Sequence, residues 1–198
     1  MNLAHALVCS SRWWAGTVER KLVPWGLAGV ELGDDRLEIG PGYGATTRVL
    51  AGTRGSLTVV ELSEAYCRRL RRKLGDGIAV VQADATAMPF AENRFTGVAC
   101  FTMLHHVPSH EQQDRLLAEA SRVLRPGGMF AGTDSIGTGR MFRMLHVGDT
   151  LVPVGPSELP ARLEQAGFIE PRIETAGSSF RFRARKPADR PDQPASSR

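Results

Sequence analysis

Three carboxylates and a set of alternate glycines fall at the ends of successive apolar runs, an arrangement suited to holding a nucleotide-like ligand. The first run, Leu37 to Ile39, includes Glu38 and leads into Gly40, Gly42 and Gly44 ahead of a helical pattern. Alternate glycines let the backbone turn sharply and approach a ligand with no Cβ in the way, while the next helix offers free N–H groups. Glycine-rich turns also arise for folding reasons alone. A second run, Leu57 to Val60, ends in Glu61 about twenty residues on, the spacing of a carboxylate that accepts hydrogen bonds from ribose hydroxyls. A third, Ile78 to Val81, ends in Gln82, Ala83, Asp84 and Ala85. In an open parallel sheet these carboxyl ends share one edge, where ligands bind.

Histidine supplies a second kind of chemistry. His105 and His106 stand at the tip of the fourth run, with His110 beyond Pro108. Imidazoles titrate near neutral pH and suit a general base, although a structural or cofactor-contacting role fits the same pair. His106 and His110 have helical metal-ligand spacing, but Pro108 disfavours a helix at the residue before it and no third ligand is near. No metal is expected.

The elements that must position these groups follow from periodicity. Helical patterns over Thr46 to Ala51, Glu64 to Leu74 and Glu111 to Leu124 alternate with the β-type runs, which specifies a parallel α/β sheet. Gly127 and Gly128 are expected to end a helix at its C-cap and start the fifth strand. The segment from Gly137 to Pro156 is too long for a plain connection, and Met141, Phe142, Met144 and Leu145 suit either an apolar pocket or the core. Ser157 is expected to cap a last helix through Ala166, ahead of β-type runs from Phe168 to Glu174 and Ser179 to Arg185. The division is a helical segment over 1–36, one domain over 37–186, and a proline- and serine-rich tail over 187–198 that is expected to be disordered. The first segment holds Trp13, Trp14 and Trp25, every tryptophan of the chain. It packs on the core or covers a substrate pocket, and the cover is the favoured reading.

A chain of 198 residues suits one domain with a core that needs no staples. Cys9, Cys67 and Cys100 are odd in number and far apart, which argues against a disulfide framework and for a reducing cytoplasm. The apolar stretch from Leu3 to Val8 is too short to span a membrane. The net charge of +4 raises nucleic acid as a partner, but the excess is local. Arg68, Arg69, Arg71, Arg72 and Lys73 crowd one helix as a solvated face, with no aromatic residues interleaved for stacking on bases. The oligomeric state is not legible.

The ordered blocks LEIGPGYG, VVEL, QADATAMPF, FTMLHHVP and LRPGGMF, from Leu37 to Phe130, resemble the class I S-adenosylmethionine-dependent methyltransferases, in particular the small-molecule, ubiquinone-biosynthesis-like group. The resemblance implies a Rossmann-like, doubly wound, mostly parallel seven-stranded sheet closed by a C-terminal antiparallel hairpin. Residue by residue, it puts Glu38, Gly40, Gly42 and Gly44 around the methionine part of S-adenosyl-L-methionine. It puts Glu61 on the ribose with Leu62 beside it, Asp84 on the adenine amino group, and Ala85 and Phe101 on the adenine faces. His105 and His106 become the candidate bases for methyl transfer to a small-molecule acceptor. The chain departs from the pattern at Thr96, where an aspartate is common, and at Glu38, where aspartate is commoner.

Two other readings compete. Gly40, Gly42 and Ala45 also satisfy the fingerprint of a nicotinamide-dependent oxidoreductase, with Glu61 in place for the ribose. Against it, neither Tyr43 nor Tyr66 is followed four residues later by lysine, and the QADA and LHHVP blocks have no explanation in that class. A non-catalytic cofactor-binding protein is the other, because methyl transfer needs no signature residue. The chain lacks a base-flipping tetrapeptide after the fourth strand, so an apolar or aromatic small molecule is favoured over nucleic acid as acceptor.

Overall fold

The computed structural model describes residues 2–137, 144 and 147–189. Alternation of β-type and helical runs produces a seven-stranded sheet in the order β3-β2-β1-β4-β5-β7-β6. Its strands are β1 (Asp35–Ile39), β2 (Ser56–Glu61), β3 (Ala79–Gln82), β4 (Phe95–Phe101), β5 (Leu124–Ser135), β6 (Ile169–Ala176) and β7 (Ser179–Arg185). The first five pair in parallel, while β7 runs antiparallel to both β5 and β6. Strand order reverses between β1 and β4, so a crevice opens at their carboxyl ends.

Period-two alternation divides the core. Leu37 and Ile39 of β1, with Val98 and Cys100 of β4, pack on one face with Leu116, Leu117, Phe130 and Leu163. Ala99 and Phe101 face the other way, with Val59, Leu70 and Val18. The helices covering these faces are α4 (Ala45–Ala51), α5 (Glu64–Leu74), α6 (His110–Val123) and α7 (Leu159–Gln165), preceded by α1 (Leu3–Ser10), α2 (Arg12–Thr17) and α3 (Val23–Gly26). A π-helical stretch, Val18–Leu22, links the last two. Side chains cap several N-termini: Asn2, Ser11, Ser63 and Ser109 each accept from the backbone N–H three residues on. Arg68, Arg71, Arg72 and Lys73 are exposed along α5 while Cys67 and Leu70 are buried beneath it, the solvated face that the sequence indicates.

Two expected caps lie elsewhere. Helix α6 stops at Val123 because Leu124 is already extended, at φ −73° and ψ 141°. Gly127, at φ +78°, therefore turns the chain inside the entry to β5, where its N–H bonds to the Lys186 carbonyl, and is not a helix C-cap. Ser157 lies in a turn before α7, whose N-cap is Glu158; the Gly155 carbonyl accepts from both Glu158 and Leu159 N–H and so starts the helix without a side-chain cap. The expectations for Met141, Phe142 and Leu145, and for the tail from residue 190, fall outside the described residues. Among the described residues no helix is long and apolar enough to cross a membrane.

Candidate active site

At the carboxyl end of β1 the chain takes left-handed φ at Gly40, Gly42 and Gly44 in turn, +65°, +51° and +77°. The three differ in what surrounds them. A Cβ on Gly42 would meet nothing within 4 Å, whereas one on Gly44 would lie 2.6 Å from Leu70 Cδ2, and one on Gly40 would run into Met103. Gly42 thus fronts open space, and Gly44 sits close to α5. The loop is held by Glu61 at the tip of β2. Its Oε2 accepts from Gly42 N–H at 3.0 Å and its Oε1 from Ser63 N–H at 2.9 Å. Asp84 is exposed beyond β3 and accepts from the Thr86 N–H and hydroxyl at 2.8 and 2.9 Å.

Glu38 is 1% exposed and turned beneath the loop, where it accepts a hydrogen bond from the Thr46 hydroxyl. Burial pushes its carboxyl up to about 7, against the hydrogen bonds from Thr46 and Thr47. A cavity of about 1030 Å³ fills the crevice, at or beyond the upper end of the roughly 300–1,000 Å³ usual for ligand sites, so there is room for a cofactor and a second small molecule. Gly40, Gly42, Glu61, Leu62, Asp84, Ala85 and Phe101 line it together; Glu38 and Gly44 do not.

His105 and His106 line the same cavity further along. Thr102 adopts a left-handed φ of +50°, with its N–H bonded to the Thr133 carbonyl at 2.7 Å, and this bend directs the chain into a short 3-10 turn, Leu104–His106. Gln113 braces that turn from α6, donating to the carbonyls of Leu104 and Val152 at 3.1 and 2.9 Å. The segment after residue 149 is pinned on it by Val152 N–H to the His105 carbonyl, 2.8 Å, with His106 Nδ1 3.3 Å from the Thr150 carbonyl. His105 Nδ1 is hydrogen-bonded to Asp134 at the end of β5, a carboxylate with no exposed surface. His110 opens α6 at the surface, in a different element from His106. Among the described residues no group of three or more histidines, cysteines or acids is placed to hold a metal.

The N-terminal helices close this end. His5 of α1 lies 3.1 Å from Asp149 Oδ2 and stacks on His106 with ring centres 5.2 Å apart, and Asn2 donates to the Val147 carbonyl at 2.8 Å. Burial lowers the His5 pKa below its usual value, outweighing the pull of Asp149. Cys9, also on the cavity wall, is pushed up to about 11 by burial, an inert thiol. The tryptophans separate. Trp14 lines the cavity, Trp13 is 70% exposed, and Trp25 meets Arg181 on the far side. Met144 is 65% exposed and not on the wall.

Sequence reasoning overlooked four residues here: His5, Asp149, Asp134 and Gln113. Asp134 had a signal, since it is a carboxylate at the tip of the fifth strand just as Glu61 and Asp84 are at theirs. His5 and Asp149 had none, being 144 residues apart.

Comparison with known proteins gives this geometry a family. Residues 37–132 match the methyltransferase domain family. Over 109 residues, 51% of this chain and 43% of the relative, the chain is 35% identical to the ubiquinone/menaquinone biosynthesis C-methyltransferase UbiE of Hahella chejuensis. It is 29% identical over 137 residues, 65% of this chain and 34% of the relative, to the sterol methyltransferase-like 3 of Botryococcus braunii. These matches span less than half of either relative. In fold the chain is similar to a crystal structure of an S-adenosylmethionine-dependent methyltransferase of Thermotoga maritima, at a TM-score of 0.72, 18% identity, and coverage of 92% of this chain and 97% of the other. Sheet order and glycine loop agree with the match of residues 37–132 to the methyltransferase domain family, and together they support a class I S-adenosylmethionine-dependent methyltransferase. Of the two cofactor classes open from sequence, S-adenosylmethionine is the one that these similarities support.

Proposed function

We propose that this chain moves a methyl group from S-adenosylmethionine to a small-molecule acceptor, with the cofactor in the crevice between β1 and β4. The observation that carries the reading is the pairing of Gly42 with Glu61. A carboxylate on the cavity wall fixes the loop while the position of the missing Cβ on Gly42 is left open. In this reading Gly40 and Gly42 border the methionine part, Glu61 and Leu62 the ribose, and Asp84, Ala85 and Phe101 the adenine. Glu38 and Gly44 act from behind, by shaping the loop. S-adenosylmethionine supplies an electrophilic methyl group on a sulfonium, which already carries a good leaving group. The protein's share is alignment and exclusion of water, worth on the order of 7–11 kcal/mol. The N-terminal helices are the cover that excludes it, and His105 and His106 face the acceptor as candidate bases. An apolar or aromatic acceptor suits walls that include Val8, Trp14 and Leu22. The unpaired thiols of Cys9, Cys67 and Cys100 fit work in a reducing cytoplasm.

Calorimetric titration with S-adenosylhomocysteine, with NADH in parallel, tests the reading. Micromolar binding of the first alone is expected. Binding of NADH alone would return the oxidoreductase reading, and binding of neither to a folded sample would favour a non-catalytic interaction protein.

A further inference from the structure

Helix α1, LAHALVCS, carries no lysine, arginine or acid, and its apolar residues fall on both of its sides. Val8 and Cys9 line the cavity, whereas Leu7 is 63% exposed. Helix α2 repeats the arrangement, with Trp14 on the cavity wall and Trp13 turned out to solvent. A helix that is apolar on both sides belongs in a core or against lipid, and here the outer side meets water. The stretch that seals the cover continues this outer face. Val147, whose carbonyl accepts from Asn2, is 69% exposed, and Met144 is exposed one turn before it. Of the six large apolar residues exposed among the described residues, Leu7, Trp13, Met144 and Val147 belong to these segments, Leu62 to the cavity wall, and Ile169 alone lies elsewhere, on β6. Such a concentration at one end of the molecule marks an interaction surface.

Charge says what the surface fits. Neither residues 1–18 nor residues 135–148 contain an acid, in a chain with 21 of them. Asp149, which ends the second stretch, is buried against His5, its side chain 3% exposed. Arg12, Arg20 and Lys21 are exposed along α2 and the π-helical stretch, against the one acid Glu19, which lies 3.9 Å from Arg48. A second copy would set like charge on like charge, and nucleic acid would leave the apolar side chains in water. An anionic lipid surface satisfies both: leucine, valine and methionine enter the acyl boundary, tryptophan sits among the headgroups, and arginine and lysine meet phosphates. We propose that the outer face of α1 and α2, together with Met144 and Val147, docks on an anionic lipid bilayer. The chain lies on the bilayer and does not cross it. Because Val8, Cys9 and Trp14 of the same helices form cavity wall, lipid contact bears on the cover itself. The inference is independent of the methyl-transfer reading.

Co-sedimentation of the full chain with lipid vesicles tests it. Vesicles of equal parts phosphatidylglycerol and phosphatidylcholine should bind the chain at low salt at least about tenfold more tightly than phosphatidylcholine alone, since each basic residue near the surface adds about fivefold. Leu7→Glu combined with Val147→Glu should weaken that binding by at least about tenfold, and Lys21→Glu by about fivefold, whereas Ile169→Glu should leave it unchanged. Brominated lipids in the same vesicles should quench the wild-type tryptophan fluorescence, and Trp13→Phe should remove most of the quenching. The proposal is overturned if the anionic vesicles do not bind, or if they bind without quenching and equally well in the double variant, the mark of adsorption through the arginines of α5. It is overturned too if the double variant dissociates a wild-type dimer that ignores vesicles, since the face would then belong to a second copy. Should the double variant not fold, the quenching of the wild type and of Trp13→Phe decides alone.

Discussion

At the glycine-loop end of the cavity, Glu61 finds its partners close by in the chain: Ser63 is two residues away and Gly42 nineteen. At the histidine end, His5 reaches Asp149 across 144 residues, Asn2 reaches Val147 across 145, and His105 reaches Asp134 across 29. One end is a set of strand tips, each carrying its chemistry where its own run stops. The other exists only once distant segments have come together, so it forms on a folded sheet and adds little to specifying it. It follows that damage to the first should be felt as lost ligand binding, and damage to the second as a looser cover over an intact cofactor site.

The largest expected effect separates two neighbouring glycines. Gly42→Val should cost on the order of 100-fold in S-adenosylhomocysteine affinity while the protein stays folded, its left-handed backbone adding about 1–2 kcal/mol of strain. Gly44→Val should lower the melting temperature far more, because its side chain meets Leu70 on α5. Calorimetry and thermal melts on both variants break the comparison if the two behave alike. Next, Glu61→Ala should weaken binding by about 1–3 kcal/mol, since the loop N–H groups lose their acceptor along with the ligand.

Glu38 gives a smaller, pH-dependent effect. Its carboxyl is raised from 4.5 to about 7 in the fold, so its full contribution to stability is present below about pH 4.5 and is lost as pH rises through 7. Glu38→Gln should therefore melt higher than the wild type in cofactor-free protein at mildly alkaline pH, by about 1 kcal/mol, and the gap should close in acid. The smallest effect tests the cover. His5 has a lowered pKa, so stability present above its ordinary value of 6.5 is lost as pH falls through the folded pKa. The protection of α1 amides, taken relative to their intrinsic exchange rates at each pH, should fall from about pH 7 to about pH 5 by less than about 1 kcal/mol, and His5→Gln should flatten that dependence with S-adenosylhomocysteine affinity unchanged.

The same division explains what could be read from the chain. The bounds of α5 match the periodic run from Glu64 to Leu74, and the parallel pairing of the first five strands follows from their alternation with helices. Glu61 and Asp84 were visible because a strand tip is a local event. Gly127 and Ser157 were misplaced because a cap depends on where the backbone leaves helical φ and ψ, which Leu124 and the turn at Gly155 decide through packing. His5 and Asp149 were invisible, since nothing in either neighbourhood encodes the other.

Thr102 carries a different lesson. Holding a residue with a branched Cβ at a left-handed φ of +50° stores strain of roughly 1 kcal/mol at the junction between β4 and the histidine turn. Thr102→Gly should release that strain and raise the melting temperature while giving the turn more freedom. Selection for heat resistance alone would thus favour a change that loosens the aim of His105. Durability and turnover would pull this one position in opposite directions.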